Sequence, residues 1–302
     1  MGKQTHLFAA LLLGLILLTG CSKIEDPSAP EKTPAEVLNP SLQKSGSTID
    51  PGVVSWWPGD GNANDIIDGN PGTLKGGATF VVGKVEQAFS VDGNAGSFVE
   101  VPDAPNLNFG STSPITVDLW AFRISTAPAQ HIMGKRNDCG FSGLDINYQM
   151  GFDSREGAGL FFGAYQGSVS TGVDLPLNTW THLAATFDGS TFRFYINGQL
   201  AGTGTGTLGQ TFAVPLTIGT SGTCHQFGQG FGGLIDEVEI YNRALSASEI
   251  QAIYEAGNAG NKPTKLVTIC HKPGTPAQKT LVIPFQALAG HLGHGDTIGS
   301  CQ

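Results

Sequence analysis

Positive charge is scarce in this chain. It holds 16 Lys and Arg against 25 Asp and Glu, a formal net of −9, and charged residues make up only 14% of its 302 positions. A surface so poor in Lys and Arg argues against nucleic acid and anionic headgroups as partners. Long apolar runs are missing too. The one stretch of that kind, Leu7 to Leu18, is too short to span a bilayer as a stable helix. Cysteine is rare, five residues, and no Cys-x₂₋₄-Cys pair exists, which removes the commonest framework for a structural zinc. What the chain has in abundance is glycine, 43 residues. Low charge with high glycine predicts many short strands joined by tight turns.

The apolar run follows Lys3 and ends in Leu18-Thr19-Gly20-Cys21. This ending resembles the bacterial lipoprotein signal, in which the Cys is acylated and becomes the first residue of the mature protein. Ser22, rather than Asp, after that Cys implies the outer membrane in a Gram-negative cell. Residues 1–20 then form the signal peptide, and their removal takes one Lys and leaves a net of −10. Acyl chains on Cys21 would hold the protein at the membrane, not charge. Residues 21–51, with five Pro and no periodicity, read as a flexible tether. With Cys21 acylated, Cys139, Cys224, Cys270 and Cys301 form an even set in an oxidising compartment. Four Cys allow three pairings. Keeping each pair within one apparent module favours Cys139–Cys224 and Cys270–Cys301.

From Val53 onward the pattern is strand, turn, strand. "SFVEVP" and "ITVDLWAFRI" alternate with period two. "WTHLAATFDGSTFRFYINGQLAG" carries two hairpin signals, Asp188-Gly189 and Asn197-Gly198. About a dozen such segments with no helix between them predict a two-sheet antiparallel jelly roll over residues 52–256. One short helix closes it. Ser246 and Glu249 match a capping box, Ile250, Ile253 and Tyr254 follow at helical spacing, and Gly257 supplies a stop. Residues 257–263 read as a linker and 264–302 as a small Cys- and His-containing module.

Four stretches carry a resemblance. They are "WWPGDGNANDIIDGNPGTL", "AFSVDGNAGSFVEVP", "TWTHLAATFDGSTFRFYINGQLAG" and "GFGGLIDEVEIYNRALSASEI". Together they are similar to the laminin-G-like jelly roll of bacterial surface proteins, within the concanavalin-A-like lectin and glucanase superfamily. The resemblance implies a sandwich closed by a strand and short helix, and a binding or adhesion module for glycans or proteins. Some relatives are glycoside hydrolases, but their Glu-x-Asp-x-x-Glu strand motif is absent. Fold alone does not fix function here.

Three sites deserve weighing. "DGNANDIID" offers Asp60, Asn62, Asn64, Asp65 and Asp68 as hard oxygen ligands suited to Ca²⁺. Related jelly rolls carry a structural calcium near this loop, and Asp236 could complete it; Asx-turns are the plainer use of the same residues. Glu237 and Glu239 are expected on a solvated strand face, so no catalytic pair is assigned and the protein reads as a non-enzyme. Trp56 and Trp57 should point to opposite faces, with one in the core. Trp120 and Trp180 are expected in the core, His182 is expected in a structural place, and Phe141, Tyr165, Phe227 and Phe231 are candidate loop contacts. In the C-terminal module, a Cys270–Cys301 disulfide with His271, His291 and His294 beside it competes with a zinc site built from the same residues. The reading is a surface-anchored binding module. A carbohydrate-active enzyme and a ligand-free envelope component are its rivals.

Overall fold

Alternation writes itself across a whole sheet in this protein. Elements are numbered in chain order. Strands β2 (Thr73–Lys75), β5 (Phe98–Val101), β14 (Leu216–Ile218), β7 (Ala129–Arg136), β8 (Ile146–Asp153), β9 (Gly159–Ala164) and β10 (Gly167–Ser170) form a seven-stranded antiparallel sheet in that spatial order. One register row crosses it as Leu74, Val99, Ile218, Met133, Met150, Phe162 and Val169. All seven join the main core. The next row is Thr73, Glu100, Thr217, Gly134, Gln149, Gly163 and Ser168, which are small or polar and face outward. Burying one large aliphatic or aromatic side chain contributes about 1.5–3 kcal/mol. The inner row therefore outweighs any single polar tie described below.

The opposing sheet has eight strands. β6 (Ile115–Arg123) lies between β11 (Trp180–Phe187) and β15 (Gly232–Tyr241). β12 (Thr191–Ile196) and β13 (Gln199–Thr205) extend it one way, and β4 (Gln87–Asp92) and β3 (Thr79–Val82) the other. The two sheets enclose one core, as the alternating pattern predicts. Both expected hairpins are present. Asn197 and Gly198 have φ of 49° and 77°, as a two-residue turn between twisted strands requires.

β15 changes partner along its length. Gly232–Ile235 pair with β4, whereas its far end pairs with β1 (Val53–Trp57). Between them the register against β6 shifts by a bulge, with Glu237 at φ 53°. Two carboxylates tie the switch. Asp236 Oδ2 accepts the Lys84 and Val85 amides of the β3–β4 turn, at 2.8 and 2.9 Å. Glu237 Oε2 accepts Trp56 Nε1–H of β1 at 2.6 Å.

Helix α1 (Ala247–Asn258) starts at the expected capping box: the Ser246 amide donates to Glu249 Oε2 and the Glu249 amide to Ser246 Oγ. It does not stop before Gly257. A Cβ there would lie 2.6 Å from Trp120 Nε1, so this glycine is required by packing. Trp120 is buried on the outer face of the sheet beneath α1, stacked on Tyr254, and not in the inter-sheet core. Trp180 is partly exposed beside Phe122.

The structure, a computed structural model, describes residues 52–137, 146–155, 157–222, 230–258, 266–284, 291, 293–298 and 301. All belong to one compact unit, Ser45–Gln302. Cys21, the Cys139–Cys224 pair, Phe141 and Phe227 lie outside the described residues. In the C-terminal region β16 (Leu266–His271) pairs with β17 (Lys279–Pro284) and β18 (Thr297–Ile298). Ile269 and Ile283 of this small sheet pack on Trp56 of β1, with Ile66 and Ile67 around them. Both adjacent tryptophans are thus buried, Trp57 in the main core and Trp56 under the C-terminal hairpin.

Candidate functional site

The acidic loop after β1 is a structural knot. Asp65 Oδ1 accepts the amides of Trp56 and Ile67, each at 2.9 Å. Its Oδ2 accepts the Asn70 amide at 3.2 Å and Asn70 Nδ2–H at 3.1 Å. All four lone-pair positions of this buried carboxylate therefore face donors. Asn62 Oδ1 accepts the Asn64 amide in an Asx-turn, Asp60 Oδ1 accepts the Gln87 amide, and Asp236 is turned to the β3–β4 amides. In this structure Asp60, Asn62, Asp65 and Asp236 thus spend oxygens on N–H donors. The residue types suit the ion, but both Asp65 oxygens already accept N–H groups. Thermal unfolding in excess calcium and in chelator is expected to coincide. A rise of several degrees with calcium, lost in Asp65→Asn, would contradict this assignment.

The carboxylates on β6 and β15 are also enclosed. Glu237 and Glu239 are buried, not solvated, because α1 folds back over them with Ile253 and Gly257. Asp118 of β6 joins them and pairs with buried His182 at 2.9 Å. Glu239 accepts the Tyr241 hydroxyl, and burial with the neighbouring Glu239 charge pushes that phenol well above its ordinary pKa. Lys84 Nζ sits 4.6 Å from the centre of the Trp120 ring. The gap left among Val85, Asp118, Trp120, Glu237 and Glu239 is about the size of one water.

The outer face of the seven-stranded sheet is more open. Its centre is covered where Thr220–Gly222 fold down: Ser221 Oγ donates to Gln149 Oε1 at 2.7 Å, and the Gly222 amide donates to Thr217 Oγ1. Toward the β9–β10 edge, the partly exposed Phe161 ring lies edge-on to His131, with 6.0 Å between centres. Gly151 separates their strands, and a Cβ there would come within 3.0 Å of the Phe161 ring. Burial and the Arg136 charge hold the His131 pKa down at about 4, so the imidazole is neutral at physiological pH. Tyr165 projects from the β9–β10 turn at 76% exposure, whereas Phe231 is buried in the core and is not a loop contact. His131, Gln149 and Phe161 were not legible as site residues. The outward position of Phe161 between inward Leu160 and Phe162 was the available signal.

At the C-terminus, Cys270 and Cys301 form the expected disulfide, with Cα atoms 4.7 Å apart. Their sulfurs are therefore not metal ligands, and the zinc site that would use them is excluded. Beside the bridge, Asp296 Oδ2 lies 2.8 Å from His271 Nδ1 and 2.7 Å from His291 Nδ1. Its Oδ1 accepts the Lys272 amide at 2.9 Å. The His271 hydrogen bond, and then this amide, hold the Asp296 carboxyl well below the usual carboxylate range. The Asp296 amide donates to the His291 carbonyl, a turn that brings those two side chains together. His294 is exposed and stands outside the cluster.

Several solved structures share the fold. Domain 4 of AbnA, a GH43 extracellular arabinanase from Geobacillus stearothermophilus, in complex with arabinotriose, aligns with a TM-score of 0.51 at 22% identity. That alignment covers 67% of this chain and 98% of that one. The binding domain of Paraclostridial Mosquitocidal Protein 1 aligns with a TM-score of 0.54 at 14% identity, over 76% and 63% of the two chains. Trypanosoma rangeli sialidase aligns with a TM-score of 0.51 at 16% identity, over 70% of this chain and 34% of the enzyme. At these identities the likeness is one of fold, which both binding domains and enzymes carry. No curated protein matches the chain by sequence. A laminin-G-like family model does, over residues 92–251, more than half of the chain and most of both sheets, so this protein belongs to the concanavalin A-like lectin/glucanases superfamily.

Proposed function

We propose that this protein is a lipid-anchored cell-envelope protein whose jelly roll acts as a non-catalytic binding or adhesion module for a glycan or protein. The observation that carries the reading is the contrast between its two outer faces. One buries its carboxylates beneath α1, with room for a water and not for a sugar. The other offers a partly exposed aromatic ring, Phe161, close to the polar Gln149 and Ser168. An apolar ring face flanked by hydrogen-bonding groups suits a pyranose or furanose, whose CH faces are apolar and whose rim is polar. The domain 4 structure with arabinotriose supports the glycan alternative. The acylated Cys21 supplies the anchor.

A glycan array with residues 50–302 tests this. At least one glycan should bind, and Phe161→Ala should weaken it about tenfold, roughly 1.4 kcal/mol, with the fold intact by near-UV circular dichroism. Release of sugar from any arrayed glycan would make the protein an enzyme and overturn the reading. Failure to capture any glycan or envelope protein would also overturn it. Labelled palmitate should enter the full chain and not Cys21→Ala.

A further inference from the structure

We propose that His271, His291 and Asp296 bind one divalent transition-metal ion, independently of whatever the jelly roll binds. The donor set is the first argument. Two imidazoles and one carboxylate suit zinc, copper or nickel, whereas calcium and magnesium take oxygen. Convergence is the second. The ligand atoms of all three residues lie within 4.8 Å of one another, and among the described residues no other His, Cys, Asp or Glu trio gathers in this way. Both imidazoles direct Nδ1 to the same Asp296 oxygen, although the carboxylate has a second one.

Preorganisation is the third argument, because separate constraints place each ligand. His271 ends β16 next to the disulfide at Cys270, and Thr297 of β18 pairs with that cysteine. His291 and Asp296 are closed into one turn by their backbone hydrogen bond. The Lys272 amide fixes the outer carboxylate oxygen and leaves Oδ2 aimed at the two rings. The Asp296 side chain is 1% exposed, while those of His271 and His291 are 25% and 27% exposed. The site is thus shielded on the carboxylate side and open to an entering ion on the other.

Without metal, two N–H···O hydrogen bonds bridge the trio. On binding, the ion replaces both bridging hydrogens, and each neutral imidazole carries its proton on Nε2 instead. Metal–ligand bonds of about 2.0–2.1 Å at tetrahedral angles separate the ligand atoms by about 3.3 Å. The rings then back away from Asp296 by roughly half an ångström, which side chains at the surface can do. Three protein ligands leave a fourth position for water or for a donor from another molecule.

The test uses the full chain in detergent, without a histidine tag, dialysed to equilibrium against zinc. One zinc per chain is expected. His271→Ala and Asp296→Ala should each weaken binding at least about tenfold. His294→Ala, which alters an exposed imidazole outside the trio, should retain it. Intact mass should show the Cys270–Cys301 bond in every variant. Should a variant misfold, cobalt(II) on the wild-type protein decides: a tetrahedral nitrogen-oxygen spectrum without thiolate charge-transfer bands is expected. No stoichiometric metal on the wild type would overturn the proposal. Equal loss in His294→Ala and His271→Ala would do the same, since it would show surface chelation.

Discussion

Trp56→Ala is expected to lower stability by about 3–5 kcal/mol, the cost of emptying a large buried aromatic site. The indole is fully buried and serves two partners at once. Its ring carries Ile269 and Ile283 of the C-terminal hairpin, and its Nε1–H donates to Glu237 at the β15 bulge. Trp56→Phe separates the two roles, because it keeps most of the apolar contact and removes the donor. A buried carboxylate that loses a hydrogen bond of this kind costs about 1.5–3 kcal/mol. Urea midpoints of the three proteins measure both steps. If Trp56→Phe unfolds with the wild type, the Glu237 bond contributes nothing and the bulge is held by packing alone.

Asp236 should make the jelly roll less stable as pH rises. Its burial, with the nearby Asp60 charge adding to it, pushes its pKa up from 3.8 to about 7 against the pull of the Lys84 and Val85 amides. The folded state therefore holds a proton that the unfolded chain has released between those values. Stability from this group is fully present below about pH 4 and is lost as pH rises through about 7. At 1.36 kcal/mol per pKa unit the change approaches about 4 kcal/mol. Asp236→Asn mimics the protonated form in shape. The stability difference between variant and wild type should grow in the variant's favour from pH 4 to pH 8. A difference that stays constant with pH would show that Asp236 titrates normally.

The contrast between these residues and the hairpins explains what could be read from sequence. Asn197-Gly198 specifies its turn within two residues, and period-two alternation specifies which way Val99 or Phe162 points. Those signals are local. Alternation also placed Trp56 and Trp57 on opposite faces, but the cover over Trp56 comes from residues more than 200 positions away. Glu237 and Glu239 were expected in water for the same reason: α1 must fold back before they are buried. The Asp60–Asp68 loop shows a different limit. Asp and Asn are the residues both of calcium sites and of Asx-turns, and only the four donors around Asp65 separate the two. The C-terminal disulfide was legible from cysteine count and spacing, whereas the meeting of His271 with Asp296 depends on how β16 pairs with β18.

The packing of Ile269 on Trp56 also fixes which side of the sandwich the C-terminal hairpin covers. Trp56 stands four residues from Gly52, where the described chain starts, and Cys301 is bonded to the neighbour of Ile269. The first strand and the C-terminal hairpin thus meet through one buried ring, on the outer side of the eight-stranded sheet. Phe161 faces out from the opposite sheet. The hairpin that caps Trp56 therefore leaves the Phe161 face uncovered by it, on the far side of the sandwich.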